Sequence, residues 1–202
     1  MIERRAFLAR TPTGPVASGD VRPRAMSGLR HVPQSVIGDV AKSSIVPCRF
    51  SSAKSRIVII GFSGAVLLLV GDGEERAKLQ ALAVQLGVID QVRFTGFQAE
   101  PGKFLHIMSA FLLTSESEGM PLSLLEAWAV GVPVATFRVG GLPELIRHGE
   151  TGYLAEFGEV DQLAEQVVHL IEHPKEAQVI ADRCRDEVRQ RFDVATMARA
   201  YD

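Results

Sequence analysis

The hydrophobic and polar positions divide the chain into two textures that meet near residue 56. Beyond it, short and wholly apolar runs alternate with amphipathic stretches. Ile57-Val58-Ile59-Ile60 and Val66-Leu67-Leu68-Leu69-Val70 contain no polar residue, as expected of parallel strands covered on both faces. Leu79, Leu82, Ala83 and Leu86 recur at helical spacing, and Gly87 supplies a stop. Val92-Arg93-Phe94-Thr95 predicts a strand, residues 104–108 a short helix, and Phe111-Leu112-Leu113 a further strand. Pro121 stands where a helix opens, at its first position, and Gly131 ends that helix after Val130. Pro133-Val134-Ala135-Thr136 predicts a strand and Pro143 the start of a short helix. Residues 161–172 and 175–191 predict two longer helices, followed by a last one reaching Tyr201. Strand and helix alternating over short connections imply an α/β layer with a parallel sheet.

The first 55 residues read differently. They sustain neither a helical nor a strand period and are punctuated by Pro12, Pro15, Pro23, Pro33 and Pro47. Such a segment buries too little apolar surface to offset its ordering entropy. Two domains of the sequence follow: residues 1–55, basic, rich in Pro, Gly and Ser and expected to be poorly structured, and residues 56–202, a folded domain. Charge sharpens the division. Residues 1–55 hold nine Lys or Arg and three Asp or Glu, and residues 56–202 hold thirteen and twenty-one. A net of +6 is thus joined to a net of -8, giving the overall -2. The basic segment reads either as an unstructured tail or as an Arg-rich arm for targeting or for touching a membrane.

Composition excludes several classes. Two cysteines, Cys48 and Cys184, cannot build a disulfide scaffold or a four-thiolate zinc site. They read as free thiols in a reducing compartment, so the expected location is cytoplasmic, with attachment at a membrane surface left open. No apolar stretch reaches the roughly 20 residues of a membrane span. The nearest, residues 57–70, is 14 long and broken by Gly61, Ser63 and Gly64.

One glycine-rich candidate fails. Gly71-Asp72-Gly73-Glu74-Glu75-Arg76 follows a strand and opens a helix, but Arg76 stands where a dinucleotide fingerprint needs its third glycine. Asp72, Glu74 and Glu75 would also repel a pyrophosphate from that helix N-terminus. The stretch is expected to be a tight strand-to-helix turn capped by Asp72.

The chemistry lies in Ser115-Glu116-Ser117-Glu118-Gly119-Met120-Pro121-Leu122-Ser123-Leu124-Leu125-Glu126-Ala127. Glu118 falls in the loop after an apolar strand, and Gly119 lets backbone approach a ligand closely. The amides of Gly119, Met120 and Leu122 would face out of the following helix N-terminus, a place suited to a diphosphate or an electronegative sugar face. Glu126 lies five residues beyond Pro121, about 7.5 Å along the axis at roughly 1.5 Å per residue. Two carboxylates thus bracket one cluster of amide donors, each able to accept hydrogen bonds from a pair of hydroxyls. A capping acid with a surface glutamate would produce the same pattern.

Over residues 67–201 the chain resembles the nucleotide-binding domain of family 4 glycosyltransferases, enzymes of the two-domain GT-B architecture. The resemblance rests on LLLVGDGEERAKLQALA, VRFTGF and SESEGMPLSLLEAWAVGVPVATFRVGGLPELIRHGETGYL, in the family's order and spacing. The family's pair of glutamates eight positions apart is Glu118 and Glu126. The resemblance implies a Rossmann-like parallel sheet with helices on both faces. It implies transfer of a hexosyl group from a nucleotide-diphosphate sugar to a glycan or lipid-linked acceptor, with retention at the anomeric carbon, in polysaccharide or glycan assembly. Glu118 would meet hydroxyls of the transferred sugar, as the catalytic and positioning carboxylate. The Gly119, Met120 and Leu122 amides, set by Pro121, would contact sugar and β-phosphate. Glu126 would grip the ribose, and backbone around Gly96 and Phe97 would hold the base. No metal, no cofactor beyond the donor substrate, and no nucleic acid are implied.

Two departures from the family pattern stand out. Residues 57–62 resemble its first strand and Ser63-Gly64 the start of its glycine-rich loop, yet the Arg and Lys that clamp phosphates are missing. About one strand–helix unit, on the order of 30 residues, is expected to be absent. Parallel neighbours need a crossover of roughly a dozen residues or more, whereas five separate Ile60 from Val66. These two strands must therefore pair as an antiparallel hairpin, or one must leave the sheet. Residues 1–55 also cannot supply an acceptor domain. The expectation is a truncated, internally deleted transferase, with weak or no activity or with a separate chain completing the cleft. A non-catalytic nucleotide-sugar-binding remnant and a sugar-nucleotide epimerase of GT-B fold are the alternatives. His148 is expected in a turn, His106 either near the donor or on a plain amphipathic helix, and Trp128 in the core. Gly140-Gly141-Leu142-Pro143-Glu144 repeats the glycine-then-proline helix start and reads either as a plain helix start or as a further contact to ligand.

Overall fold

The computed structural model describes residues 5–10, 51–52, 55–56, 65–193 and 196. Its centre is a six-stranded sheet in the order β5-β4-β1-β6-β7-β8. The strands are β1 (Arg5–Arg10), β4 (Ala65–Val70), β5 (Val92–Gly96), β6 (Ala110–Leu113), β7 (Val134–Phe137) and β8 (Tyr153–Ala155). A separate two-residue pairing joins β2 (Ser51–Ser52) to β3 (Ser55–Arg56). The helices are α1 (Arg76–Gln85), α2 (Leu122–Val130), α3 (Leu142–Leu145), α4 (Val160–Glu172) and α5 (Pro174–Arg191).

The apolar runs become the strands covered on both faces. Ala65, Val66, Leu67, Leu68 and Val70 of β4, and all four residues of β6, are buried. Leu79 and Ala83 turn the inner side of α1 to the core, and Gly87 follows its end with φ +69°. The predicted stretch at 104–108 is the end of a 3₁₀ segment, Pro101–Ile107. α2 begins one residue later than expected. Pro121 is its N-cap, in extended backbone at φ -70°, ψ 122°, and is not the first helical residue. At the other end Gly131 adopts φ +76° and closes the helix as the sequence suggests. Trp128 is fully buried. The predicted strand at 57–60 and the helix running to Tyr201 lie outside the described residues, apart from Thr196.

β4 runs parallel to β5, β6 to β7, and β7 to β8. The sheet therefore winds outward in two directions, and the carboxyl ends of these five strands share one edge. β1 sits between the two windings and is antiparallel to both neighbours, with Arg5 opposite Val70 and Ala6 opposite Leu69 and Leu112. Sequence reasoning assigned no element there, because four apolar residues between two arginines carry no sustained period. Pairing explains the strand: the facing edges of β4 and β6 would otherwise leave rows of backbone N–H and C=O groups unpaired. In open α/β sheets, ligands bind beyond the carboxyl ends where the winding reverses.

Candidate functional site

At the carboxyl edge of the β4–β5 winding, the backbone is closed tightly. Gly71 donates its N–H to the Gly96 carbonyl at 3.0 Å. Asp72 accepts the Gly73 N–H at 2.9 Å and pairs with Arg76 at 3.1 Å. Asp72 thus caps the turn as expected, whereas α1 itself has Glu75 at its N-cap and no side-chain cap. The Asp72–Arg76 pair lies against Gly96, whose backbone turns at φ +71°: a Cβ there would meet the Arg76 guanidinium at 3.2 Å. The next residue, Phe97, stands 80% exposed at the strand's end.

The β6–β7 winding supplies the acidic loop. Past Leu113 and buried Thr114 the chain emerges through exposed Glu116 and Ser117 to half-buried Glu118, then exposed Gly119 and Met120, and dips again at buried Pro121. Leu122, 64% exposed, opens α2. Ser123, Leu124, Ala127 and Trp128 face the core. Glu126, one turn beyond Leu122, shares its outward face. Among the described residues, the Gly119, Met120 and Leu122 amides donate to no backbone or side-chain acceptor. The Glu118 carboxylate likewise makes no ion pair there. Phe97, Met120 and Leu122 are three of the six large apolar side chains that stand exposed among the described residues. All three lie at or just past the carboxyl ends of β5 and β6. An anion or a hydroxyl-rich ligand at this edge meets uncommitted amides, two carboxylates and apolar surface together.

The loop's shape comes from its neighbour. Gly140 and Gly141, between β7 and α3, press against it. Gly141 donates its N–H to the Glu118 carbonyl at 2.8 Å. A Cβ on Gly140 would lie 1.9 Å from that carbonyl oxygen, and one on Gly141 would lie 2.5 Å from the Gly119 oxygen. Sequence reasoning saw this pair as a repeated helix start, with contact to ligand as the alternative, and not as a packing contact. The adjacent glycines were the available signal, but the partner backbone lies some twenty residues away in sequence.

The remaining candidates take structural places. His148 sits in the expected turn, accepting the Leu154 N–H on Nδ1 at 3.1 Å and meeting the Tyr153 ring edge-on. His106 is exposed on the 3₁₀ segment. Groups held away from their ordinary pKa gather on β8, α5 and the loop before β8. Burial, with a hydrogen bond to Glu176, pushes Tyr153 up to about 12. Burial pushes the Cys184 thiol, which donates to the Thr151 carbonyl, up to about 12. Burial acts to raise Glu187, but hydrogen bonds from Arg147 and Arg191 prevail and hold it low. Among the described residues no three His, Cys, Asp or Glu side chains form a group suited to a metal ion. No described helix is long and apolar enough to cross a membrane.

The fold is an α/β domain with backbone amides and carboxylates exposed at the carboxyl edge of its sheet, where the winding reverses. Residues 54–187 match the family described as Glycosyl transferases group 1, and the chain belongs to that family. N-acetyl-alpha-D-glucosaminyl L-malate synthase of Bacillus anthracis is 39% identical over 138 residues, spanning 68% of this chain and 36% of the relative. Lipopolysaccharide core biosynthesis glycosyltransferase LpsE of Rhizobium meliloti is 33% identical over 138 residues, spanning 68% and 41%. The crystal structure of Anabaena Alr3699/HepE in complex with UDP is similar at a TM-score of 0.62 and 31% identity, over 66% of this chain and 38% of that one. The chain spans well under half the length of each of these relatives.

Proposed function

We propose that this chain is the donor-binding domain of a retaining family 4 glycosyltransferase that uses a nucleotide-diphosphate sugar in polysaccharide or glycan assembly. The observation that carries the reading is the run from Glu118 to Glu126. A loop leaves β6 at the switch point, its amides are uncommitted, and a carboxylate stands at each end. Glu118 receives hydroxyls of the transferred sugar, and the Gly119, Met120 and Leu122 amides offset charge on the sugar and β-phosphate as the leaving group departs. Glu126 holds the ribose, and the backbone at Gly96 and Phe97 holds the base. No metal is required when amide donors neutralise the diphosphate.

The family's basic phosphate clamp is absent from the sequence between Ser63 and Val66, and the described residues comprise one sheet domain without a second domain facing its carboxyl edge. Acceptor binding and exclusion of water call for such a surface, supplied by an acceptor domain of the same protein or by a separate chain. Alone, the domain binds donor and transfers little or nothing to a glycan or lipid-linked acceptor. It works on the cytoplasmic side, at or near a membrane surface where lipid-linked acceptors are met. Calorimetry with UDP- and GDP-sugars tests the reading. Binding that Glu126→Ala abolishes while the fold survives supports it. Absence of binding to every nucleotide sugar overturns it, and turnover at an ordinary enzymatic rate overturns the claim that the domain alone is inert.

A further inference from the structure

The double glycine at 140–141 is the one feature of the carboxyl edge that the donor reading leaves without a task. Its two members meet the Glu118 loop in different ways. Gly140 has φ +52°, and its Cα faces the Glu118 peptide so closely that a Cβ would lie 1.9 Å from the carbonyl oxygen and 2.9 Å from the carbonyl carbon. Gly141 has φ -81°, ψ -3°, a conformation open to any residue. Nothing in its own backbone calls for glycine. What does is clearance, since a Cβ would come within 2.5 Å of the Gly119 oxygen. Gly141 also donates its N–H to the Glu118 carbonyl at 2.8 Å.

That hydrogen bond fixes more than one atom. The Glu118 carbonyl and the Gly119 N–H belong to the same planar trans peptide and point in opposite directions. No cis bond interrupts the chain among the described residues. With the carbonyl tied inward to Gly141, the Gly119 N–H must point away from β7, into the open edge. Gly119 itself meets nothing within 4 Å where a Cβ would stand. One glycine therefore keeps space for a ligand, and two others keep a peptide plane at a set angle.

We propose that Gly140 and Gly141 are positioning residues: through backbone contact alone they orient the Glu118–Gly119 peptide so that the Gly119 amide and the Glu118 carboxylate meet the sugar of the donor. This rests on the donor-binding reading and adds the device that aims its sugar-contacting half. The lock acts on the sugar and leaves the nucleoside, held at Gly96 and Glu126, unaffected.

Gly141→Ala is the informative variant, because it introduces the clash without any cost in φ. Gly149→Ala is its control: Gly149 has φ +79° but meets nothing within 4 Å, so it carries backbone strain without the contact. Two measurements are made on the 202-residue chain. Hydrogen exchange of the ligand-free protein should show lower protection in Gly141→Ala of the amide at position 141, which donates to the Glu118 carbonyl, with buried strand amides unchanged, and no such local change in Gly149→Ala. Calorimetry should show UDP-glucose binding weakened about tenfold, the loss of roughly one hydrogen bond to a charged or strongly polar group. UMP, which lacks both the sugar and the β-phosphate, should keep its affinity within about threefold on that same scale. Unchanged exchange in Gly141→Ala overturns the lock whether or not any ligand binds. Faster exchange with the UDP-glucose preference intact overturns the positioning role. Wild-type protein that binds no nucleotide sugar overturns the donor reading and the positioning role with it, a result that the variants do not mimic. Gly140→Ala, with the closer clash, serves as a second arm if it folds, and its effect should exceed that of Gly141→Ala.

Discussion

At the carboxyl edge the loop between β6 and α2 is held by backbone: glycine against peptide, N–H to carbonyl. In the corner formed by β8, α4 and α5, the holding is done by side chains. There Tyr153 and His169 converge on Glu176, at 3.0 and 3.1 Å. His169 stacks on His173, and Arg147 and Arg191 share Glu187. Arg185 reaches from α5 to the Val130 carbonyl at the end of α2. The difference is one of what remains available. A loop positioned through its backbone leaves its carboxylate and amides uncommitted for a ligand, whereas a corner tied through side chains has used its polar groups. The first arrangement tolerates no added methyl at the contact; the second loses its ties one at a time.

Four experiments break or sharpen that contrast. The largest effect is expected where both regions depend on the same beam. Trp128 is fully buried on α2, and Trp128→Ala should destabilise the protein by about 3–5 kcal/mol in urea denaturation. Gly119→Ala comes next and acts on binding alone. With open space at its Cα, stability should stay within about 0.5 kcal/mol, while UDP-glucose affinity in calorimetry falls about tenfold, roughly 1.4 kcal/mol. Arg147→Ala removes one exposed tie from the corner, half of whose pairing Arg191 maintains. Its cost should be below about 1 kcal/mol, with donor affinity unchanged. The smallest effect is a pH slope. Because Tyr153 is raised in the fold from 10 to about 12, its contribution is complete below pH 10 and fades as pH rises towards 12. Stability measured against pH should therefore fall more steeply over that window in the wild type than in Tyr153→Phe. Parallel curves would show that the half-buried phenol is not what holds that pair together.

Much of this was legible along the chain. β4 to α5 follow from apolar runs and amphipathic spacing, because each is stabilised by burial that its own sequence announces. Glu118, Gly119 and Glu126 were legible for the same reason in reverse: a glycine and two acids after a buried strand mark an open edge. β1 was not legible, since its place comes from partners distant in sequence. The start of α2 was read one residue early, at Pro121, because its fixed φ suits both the cap and the first helical turn. Gly140 and Gly141 were seen but not understood. Glycine announces that a side chain is excluded, and only the folded backbone tells what excludes it.

β1 also carries a consequence for how this sheet is assembled in time. Each winding is built from neighbours close in sequence, so β4 with β5, and β6 with β7 and β8, can form early. The seam between them is another matter. Ala6 pairs with Leu69 and with Leu112, so joining the windings closes the longest loops among the described strand pairings. Such closures are slow because their entropy must be lost before the contacts form. The strand synthesised before both of its partners is therefore the last to be seated, and until then β4 and β6 each expose a raw edge to any other chain.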